Sequence, residues 1–433
     1  MRTKHRWQNL VSINAYWLGT SYMWNSLHII ILPILMLSYT ESGKNTAYGL
    51  LTFLGLLVAM VVQPLSGALS DRTRHRLGRR RPWILVGTLI DMVWLLTMAL
   101  ARRYWLVALS YILLQLSSNL AHGPAQGLIP DLVPREKHGI ASGIKNLADI
   151  VGIICASLVA GYLMEGATPH TVASFAIIAG VLLTVLVVTC AGATETPTQH
   201  VEAAHWRLSL ENVKGILRVD WYAQRDYAYL LLSRFFMLLG MYSLQAFGLY
   251  YFRDALRLEA PARTMGTLIA TVGVSILLIS LPAGALSERW GRKKLSLLAF
   301  AMTGTGMVLF ALTDNLRGIW GAGGLLGLGL GIFSSVNWAW ATDLVPVAEA
   351  GKYLGLSNLA TVGAALTSRL FGPFVDLINA RFSNAGYALV FLLTAVGAIL
   401  GIIMTLRVPE TRLGAHMSPV SVAPTPAADL GRE

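Results

Sequence analysis

Gly67-Ala-Leu-Ser-Asp71-Arg72-Thr-Arg74-His-Arg76-Leu-Gly78-Arg79-Arg80-Arg81-Pro82-Trp83 packs six arginines between two apolar runs of about membrane length. A charge in the hydrocarbon of a bilayer costs on the order of 3 kcal/mol on insertion scales, so this stretch must be a loop between two spans. A shorter version returns as Gly284-Ala-Leu-Ser-Glu288-Arg289-Trp290-Gly291-Arg292-Lys293-Lys294. The chain therefore reads as two copies of one membrane unit.

Composition agrees with that reading. Of 433 residues, 55% are hydrophobic and only 13% charged, too few charges to coat a soluble protein of this size. The formal charge of +12 does not point to nucleic acid, because the basic residues sit in short loops where they orient the chain in a bilayer. Cys155 and Cys190 both fall in apolar runs, where no disulfide, metal site or redox role is expected. The first apolar run is too long for a signal-peptide core and is read as a retained span. No G-x-x-x-x-G-K-[ST] phosphate loop, metal-spaced His/Cys/Asp cluster or nucleophile motif is present. The expectation is a protein without cofactor or metal that is not an enzyme.

At about 20 apolar residues per spanning helix, twelve spans are expected. They lie near 10–37, 46–69, 83–101, 104–128, 140–163, 171–190, 227–252, 264–287, 295–313, 318–341, 353–378 and 387–407. This divides the chain into a six-helix bundle (1–190), a polar central loop (191–226), a second six-helix bundle (227–407) and a proline-rich tail (408–433) expected to be disordered. With both termini on one side, that side carries 23 of the 34 Lys and Arg, the other side 8, and three lie inside helices. The excess places both termini in the cytoplasm.

The duplication extends beyond the arginine loop. Asp131-Leu-Val-Pro134, Gly139 and Gly143-Ile-Lys-Asn-Leu-Ala148 recur as Asp343-Leu-Val-Pro346, Gly351 and Gly355-Leu-Ser-Asn-Leu-Ala360, at an offset of 212. The offset is 217 at Gly67 and 213 at Gly78, because the first loop is four residues longer. Two regions of each half thus agree on one register. Parallel six-helix repeats suit a carrier whose halves rock about a central cavity.

These motifs resemble the major facilitator superfamily, whose loop between the second and third spans has the form G-x-x-x-D-R-x-G-R-R. The longer variant, Ser70-Asp71-Arg72 followed by Gly78-Arg79-Arg80-Arg81-Pro82-Trp83, is similar to that of the sucrose transporters and the glycoside–pentoside–hexuronide:cation symporters. Trp24 nine residues before Pro33, and Asn119, Gly123 and Pro124 in the fourth span, also resemble the plant sucrose carriers. The resemblance implies an all-α membrane protein with twelve transmembrane helices in two pseudo-symmetric six-helix bundles. It implies a secondary transporter of a sugar or glycoside coupled to a proton or another cation such as sodium. Gln115 and Gln126 stand where the plant carriers have an acidic residue and an arginine, and neither can carry charge.

In the superfamily the arginine loop is implied to latch the halves together on the cytoplasmic side. Gly67, Asp71, Arg72, Gly78, Arg79 and Arg80, with Glu288, Arg289 and Arg292 in the repeat, are the corresponding gating residues here. The plainer alternative makes them orientation anchors. The acid repeated at Glu288 argues against it, since acids contribute little to orientation.

Charges inside spans ask for a partner or a function. Asp149 lies nine residues into the fifth span, about 14 Å deep, with Lys145 one turn earlier on the same face. The repeat replaces the two by Thr361 and Ser357, so the fold does not need them twice. They are candidate ion-coupling residues or a structural ion pair. Asp91 is a further coupling candidate, or packs toward the second span. Arg234 is read as binding solute or pairing across the halves; Arg369 is read as a structural or gating residue with Asp376 as its partner.

The first span carries Trp17, Ser21, Trp24 and His28 at helical spacing, with Asn25 beside them. Flat aromatic faces for C–H surfaces and polar groups for hydroxyls suit a sugar, and packing between helices is the alternative. Gln115, Asn119, His122 and Gln126, then Gln245, Asn337, Trp338 and Asn358, are further solute-binding candidates. The rival readings are an exporter of amphipathic compounds on the same fold, and a transport-inactive assembly factor.

Overall fold

The structure is a computed structural model and describes residues 7–40, 42–193, 195, 224–344 and 350–410. The central loop and the tail lie almost entirely outside these residues.

Apolar runs that cannot hydrogen-bond to lipid must satisfy their own backbone, and here they do so as helices. The first half holds α1 (Asn9–Tyr39), α2 (Lys44–Asp71), α3 (Arg81–Leu100), α4 (Tyr104–Leu132), α5 (His138–Leu163) and α6 (Thr171–Gly192). The second holds α7 (Arg225–Ala255), α8 (Pro261–Trp290), α9 (Arg292–Leu312), α10 (Leu316–Leu344), α11 (Ala350–Asn379) and α12 (Ala385–Arg407). Eleven of these are long and apolar enough to cross a membrane; α11, which carries Lys352, Arg369 and Asp376, is the more polar twelfth. Several helices outrun the apolar run that announces them, as α8 does at both ends. Hydropathy marks the hydrocarbon-embedded part, whereas the helix continues until a breaker stops it. Gly291 supplies such a stop at the end of α8, with a φ of 97°, a conformation that favours glycine; Gly78, with the same φ, lies in the loop between α2 and α3.

Among the described residues two helices carry a π-helical turn. A π-helical turn, Ser26–Ile31, interrupts α1, and another, Tyr251–Ala255, ends α7. Such turns are frequent at functional sites because they re-aim side chains.

Within the first half, α1 packs on α5 and α6, and α4 on α2 and α3; within the second, α7 packs on α11 and α12, and α10 on α8 and α9. The halves meet along two seams, α5 against α8 and α2 against α11. Glycine permits the close approach. At Gly161 and Gly266 on the first seam, and Gly49 and Gly372 on the second, a Cβ would collide with backbone of the facing helix. All four sit toward the end opposite the arginine loops. Near the loop end, Gly139 and Gly143 on α5 face open space. Among the described residues the halves are therefore closed against each other at one end and make no such glycine contact at the other.

Candidate functional site

The π turn of α1 carries His28. Its Nε2 lies 2.8 Å from the Tyr111 hydroxyl on α4, to which Gln115 Nε2 donates at 2.8 Å. Asn119 extends the row, its Nδ2 donating to Gln115 Oε1 at 3.2 Å. Trp24 stacks on the His28 ring with centroids 5.3 Å apart and stands edge-on to Tyr111. Tyr48 on α2 closes the group by donating to the His28 carbonyl at 2.6 Å. Trp24, His28, Gln115 and Asn119 are thus brought together. Tyr111 and Tyr48 are additions to the sequence reading; Tyr111 stands four residues before Gln115 and so on the same helical face.

One turn nearer the open end lies a second group. Lys145 Nζ is 3.0 Å from Asp149 Oδ2, and Ser21 Oγ donates to Asp149 Oδ1 at 3.0 Å. Lys145 rests 4.0 Å above the Trp17 ring, whose other neighbour is the edge-on His122 ring at 4.9 Å. About a quarter of each charged side chain is exposed, so the pair is reachable. Asn25 donates back to the Ser21 carbonyl of its own helix.

Across the interior, in the second half, Arg234 Nε donates to Thr361 Oγ1 at 3.2 Å and its Nη1 to Asn337 Oδ1 at 2.9 Å. Tyr227 and Ser357 share a hydrogen bond of 2.9 Å. Thr361 and Ser357 are the repeat counterparts of Asp149 and Lys145, so the same positions are used in both halves, with charges in one and hydroxyls in the other. Gln245 is buried on α7; Gln126, Trp338 and Asn358 are exposed and stand outside these networks. Asp91 is sealed against α4, where Ser117 donates to it, and not against α2 as the sequence suggested. Burial under the α3–α4 contact separates it from the Asp149 group.

Residues 17–353 match the family of MFS/sugar transport proteins. The chain belongs to this family. It is 28% identical over 219 residues to the lactose permease of Lactobacillus helveticus, covering 45% of this chain and 34% of that one. It is 28% identical over 148 residues to the sucrose transport protein SUT1 of Oryza sativa subsp. japonica, covering 29% and 27%. The matches thus span about a third or less of these relatives. A bacterial homologue of the human lysosomal transporter Spinster, solved in an inward-facing and occupied conformation, superposes with a TM-score of 0.72 at 14% identity, covering 94% of this chain and 97% of that one. The likeness shows the major facilitator fold.

Among the described residues, Arg79 and Arg80 of this MFS protein's arginine loop pair with acids of their own half. Arg80 Nε is 2.9 Å from Asp131 Oδ2 at the end of α4, and its Nη2 is 2.5 Å from Asp71; Arg79 also binds Asp131. Glu195 accepts the Arg80 backbone N–H at 3.0 Å, at the first turn of α3. The second half repeats the pattern: Arg292 Nε is 2.8 Å from Asp343, and Glu410 accepts the Arg292 backbone N–H at 2.7 Å. Acids at helix N-termini satisfy orphan donors and complement the dipole. These contacts lie within one half, whereas the resemblance implies a latch between the halves. Gly67 lies beside Gly123 of α4, within the same half, and Glu288 and Arg289 are exposed. Glu195 and Glu410 were missed. Their signal is a Glu-Thr pair just past the last span of each half, at an offset of 215.

The bridging charges lie at the opposite end. Lys44 Nζ is 2.6 Å from Asp254 Oδ2, which also accepts the Tyr387 hydroxyl at 2.8 Å. Asp376 accepts Asn45 Nδ2 at 2.7 Å, the Thr46 backbone N–H at 2.7 Å and the Thr46 hydroxyl at 2.6 Å. Asp376 is therefore not the partner of Arg369. About two turns of α11 separate them, and Asp376 faces α2 across the seam.

Proposed function

We propose that this protein is a secondary transporter of a sugar or glycoside, driven by a proton or sodium gradient and working by alternating access. The observation that carries the reading is the adjacency of two unlike groups on α1. Trp24, His28, Tyr111 and Gln115 offer a ring face and hydroxyl-directed polar atoms, and one to two turns away Asp149 is a reachable carboxylate held by Lys145 and Ser21. Solute and ion would thus be sensed on one helix. A proton or sodium ion arriving at Asp149 displaces Lys145, and that exchange of partners couples ion to solute.

With the termini cytoplasmic, as the distribution of Lys and Arg supports, the form described is open inward and locked outward by Lys44, Asp254 and Asp376. The membrane is the cell's inner or plasma membrane. In the outward-open form the arginine loops would meet across the halves while the Lys44 and Asp376 contacts part.

The test is uptake of labelled mono- and disaccharides into proteoliposomes, with and without an imposed proton or sodium gradient. Accumulation that collapses with one of the gradients is expected. Efflux of amphipathic compounds with no sugar uptake would overturn the reading in favour of an exporter.

A further inference from the structure

Burying an arginine in a membrane protein ordinarily requires an acid beside it, because an unpaired buried charge costs several kcal/mol. Arg369 of α11 is 3% exposed, and its Nε and Nη1 have no hydrogen-bond partner among the described residues. The acid nearest along its own helix, Asp376, is spent on Asn45 and Thr46. Among the described residues no acid pairs with the guanidinium. Its carbon lies 5.2 Å from the Tyr48 ring centroid, and its charge is within electrostatic reach of His28, Tyr111 and Tyr242. Tyr48 in turn holds the His28 carbonyl, so the unpaired cation borders the group of rings and polar atoms described above.

The imbalance extends beyond one residue. Lys145 has Asp149, whereas among the described residues the side chains that accept from Arg234 are Thr361 and Asn337, neither of which is charged. The amide nitrogen of Asn337 is itself buried without a partner. Among the described residues these two cations of the second half have no acid partner, and Arg369 retains two buried donors without an acceptor.

We propose that Arg369 is the docking point for an anionic group on the transported solute, so that the protein takes an acidic sugar in preference to a neutral one. The inference rests on the sugar-transport reading and names the solute class within it. The sugar's hydroxyls engage His28, Tyr111 and Gln115 and its ring lies on Trp24, while the acid group takes the unused guanidinium donors. A carboxylate and a phosphate share this chemistry, and charge-assisted hydrogen bonds from arginine suit both.

The experiment is a binding titration on the purified full-length protein in detergent with three matched ligands, glucose, glucuronate and glucose 6-phosphate. It is repeated for Arg369→Gln and Arg369→Lys. The expected result is affinity at least tenfold higher for one or both acids than for glucose, with the two acid arms telling carboxylate from phosphate. Arg369→Gln should bring the three affinities together, and Arg369→Lys should keep most of the preference. Equal or tighter binding of glucose by the wild-type protein overturns the inference and leaves the sugar reading standing. A preference that survives intact in Arg369→Gln overturns it too, making the residue a structural cation satisfied by water. Binding of none of the three removes the sugar reading and the inference together. The wild-type comparison decides the matter even where Arg369→Gln fails to fold.

Discussion

Arg234 Nε donates to Thr361 at 3.2 Å, and Thr361 is the residue at which the second half repeats Asp149. The first half brings a cation to the same register from its own helix, Lys145 at 3.0 Å, whereas the second brings one from α7 and receives it with a hydroxyl. The two halves share the register, with a carboxylate in one and a hydroxyl in the other. Only the first half therefore offers a titratable acid at this level.

This asymmetry predicts a graded response at Thr361. Thr361→Val removes the acceptor and leaves one more guanidinium donor unpaired, whereas Thr361→Ser keeps it. A neutral acceptor to a charged donor contributes about 1.5–3 kcal/mol, so the valine variant should show a roughly tenfold higher half-saturation for solute, with maximal uptake little changed. Serine should be near wild type. Initial uptake rates across a range of solute concentrations check both.

The outer lock predicts a change in which face is open. Asp376→Ala strips the acceptor from three donors of α2, and about 1.4 kcal/mol lost from the closed-outside form shifts the equilibrium tenfold. A cysteine placed at Ser243, buried below the lock, should then react about tenfold faster with a membrane-impermeant reagent applied from outside. The background carries Cys155→Ala and Cys190→Ala. An unchanged rate would show that the two helical seams, and not this charge cluster, hold the end shut.

The caps on α3 and α9 give a prediction about where the chain can be cut. Glu410 accepts backbone N–H groups of Arg292 and Lys293, so Glu410→Ala should cost about 1 kcal/mol and lower the melting temperature in detergent by a few degrees. Deleting everything after Thr411 should leave insertion, melting temperature and uptake unchanged, because the removed segment has few apolar side chains to pack. Melting curves of the two variants side by side separate cap from tail.

The span pattern was legible because hydrocarbon leaves a chain few choices, and the repeated Asp-Leu-Val-Pro and Gly-Ala-Leu-Ser segments gave the register without a structure. Lys145 and Asp149 were legible as a pair because four residues on a helix is one turn. Contacts between helices distant in sequence were not. Nothing local in Lys44 or Asp254 says that α2 and α7 meet, and Asp376 was assigned to Arg369 only because they share a helix. Tyr48 and Tyr111 were passed over for a related reason, since a tyrosine in an apolar run looks like core until the hydroxyl it reaches is known. The arginine loop misled in another way. Among the described residues Arg79 and Arg80 pair with acids of their own half, and a contact across the halves belongs to the outward-open form proposed above.

Coupling is the sharpest prediction. Asp149 is held by Lys145 and Ser21 on a face open to the interior, whereas Asp91, the other acid deep in the first half, is sealed between α3 and α4. Asp149→Asn keeps the size and the hydrogen bond from Ser21 but removes the charge that an ion must answer. Gradient-driven accumulation should fall to the equilibrium ratio of about one, while exchange of labelled for unlabelled solute persists, since exchange requires only rocking of the loaded carrier. Lys145→Ala, which leaves the acid in place, should impair accumulation less than Asp149→Asn does. Parallel accumulation and exchange assays in proteoliposomes read both variants. Wild-type accumulation by Asp149→Asn would make the pair structural and move the search for the coupling group to Asp91.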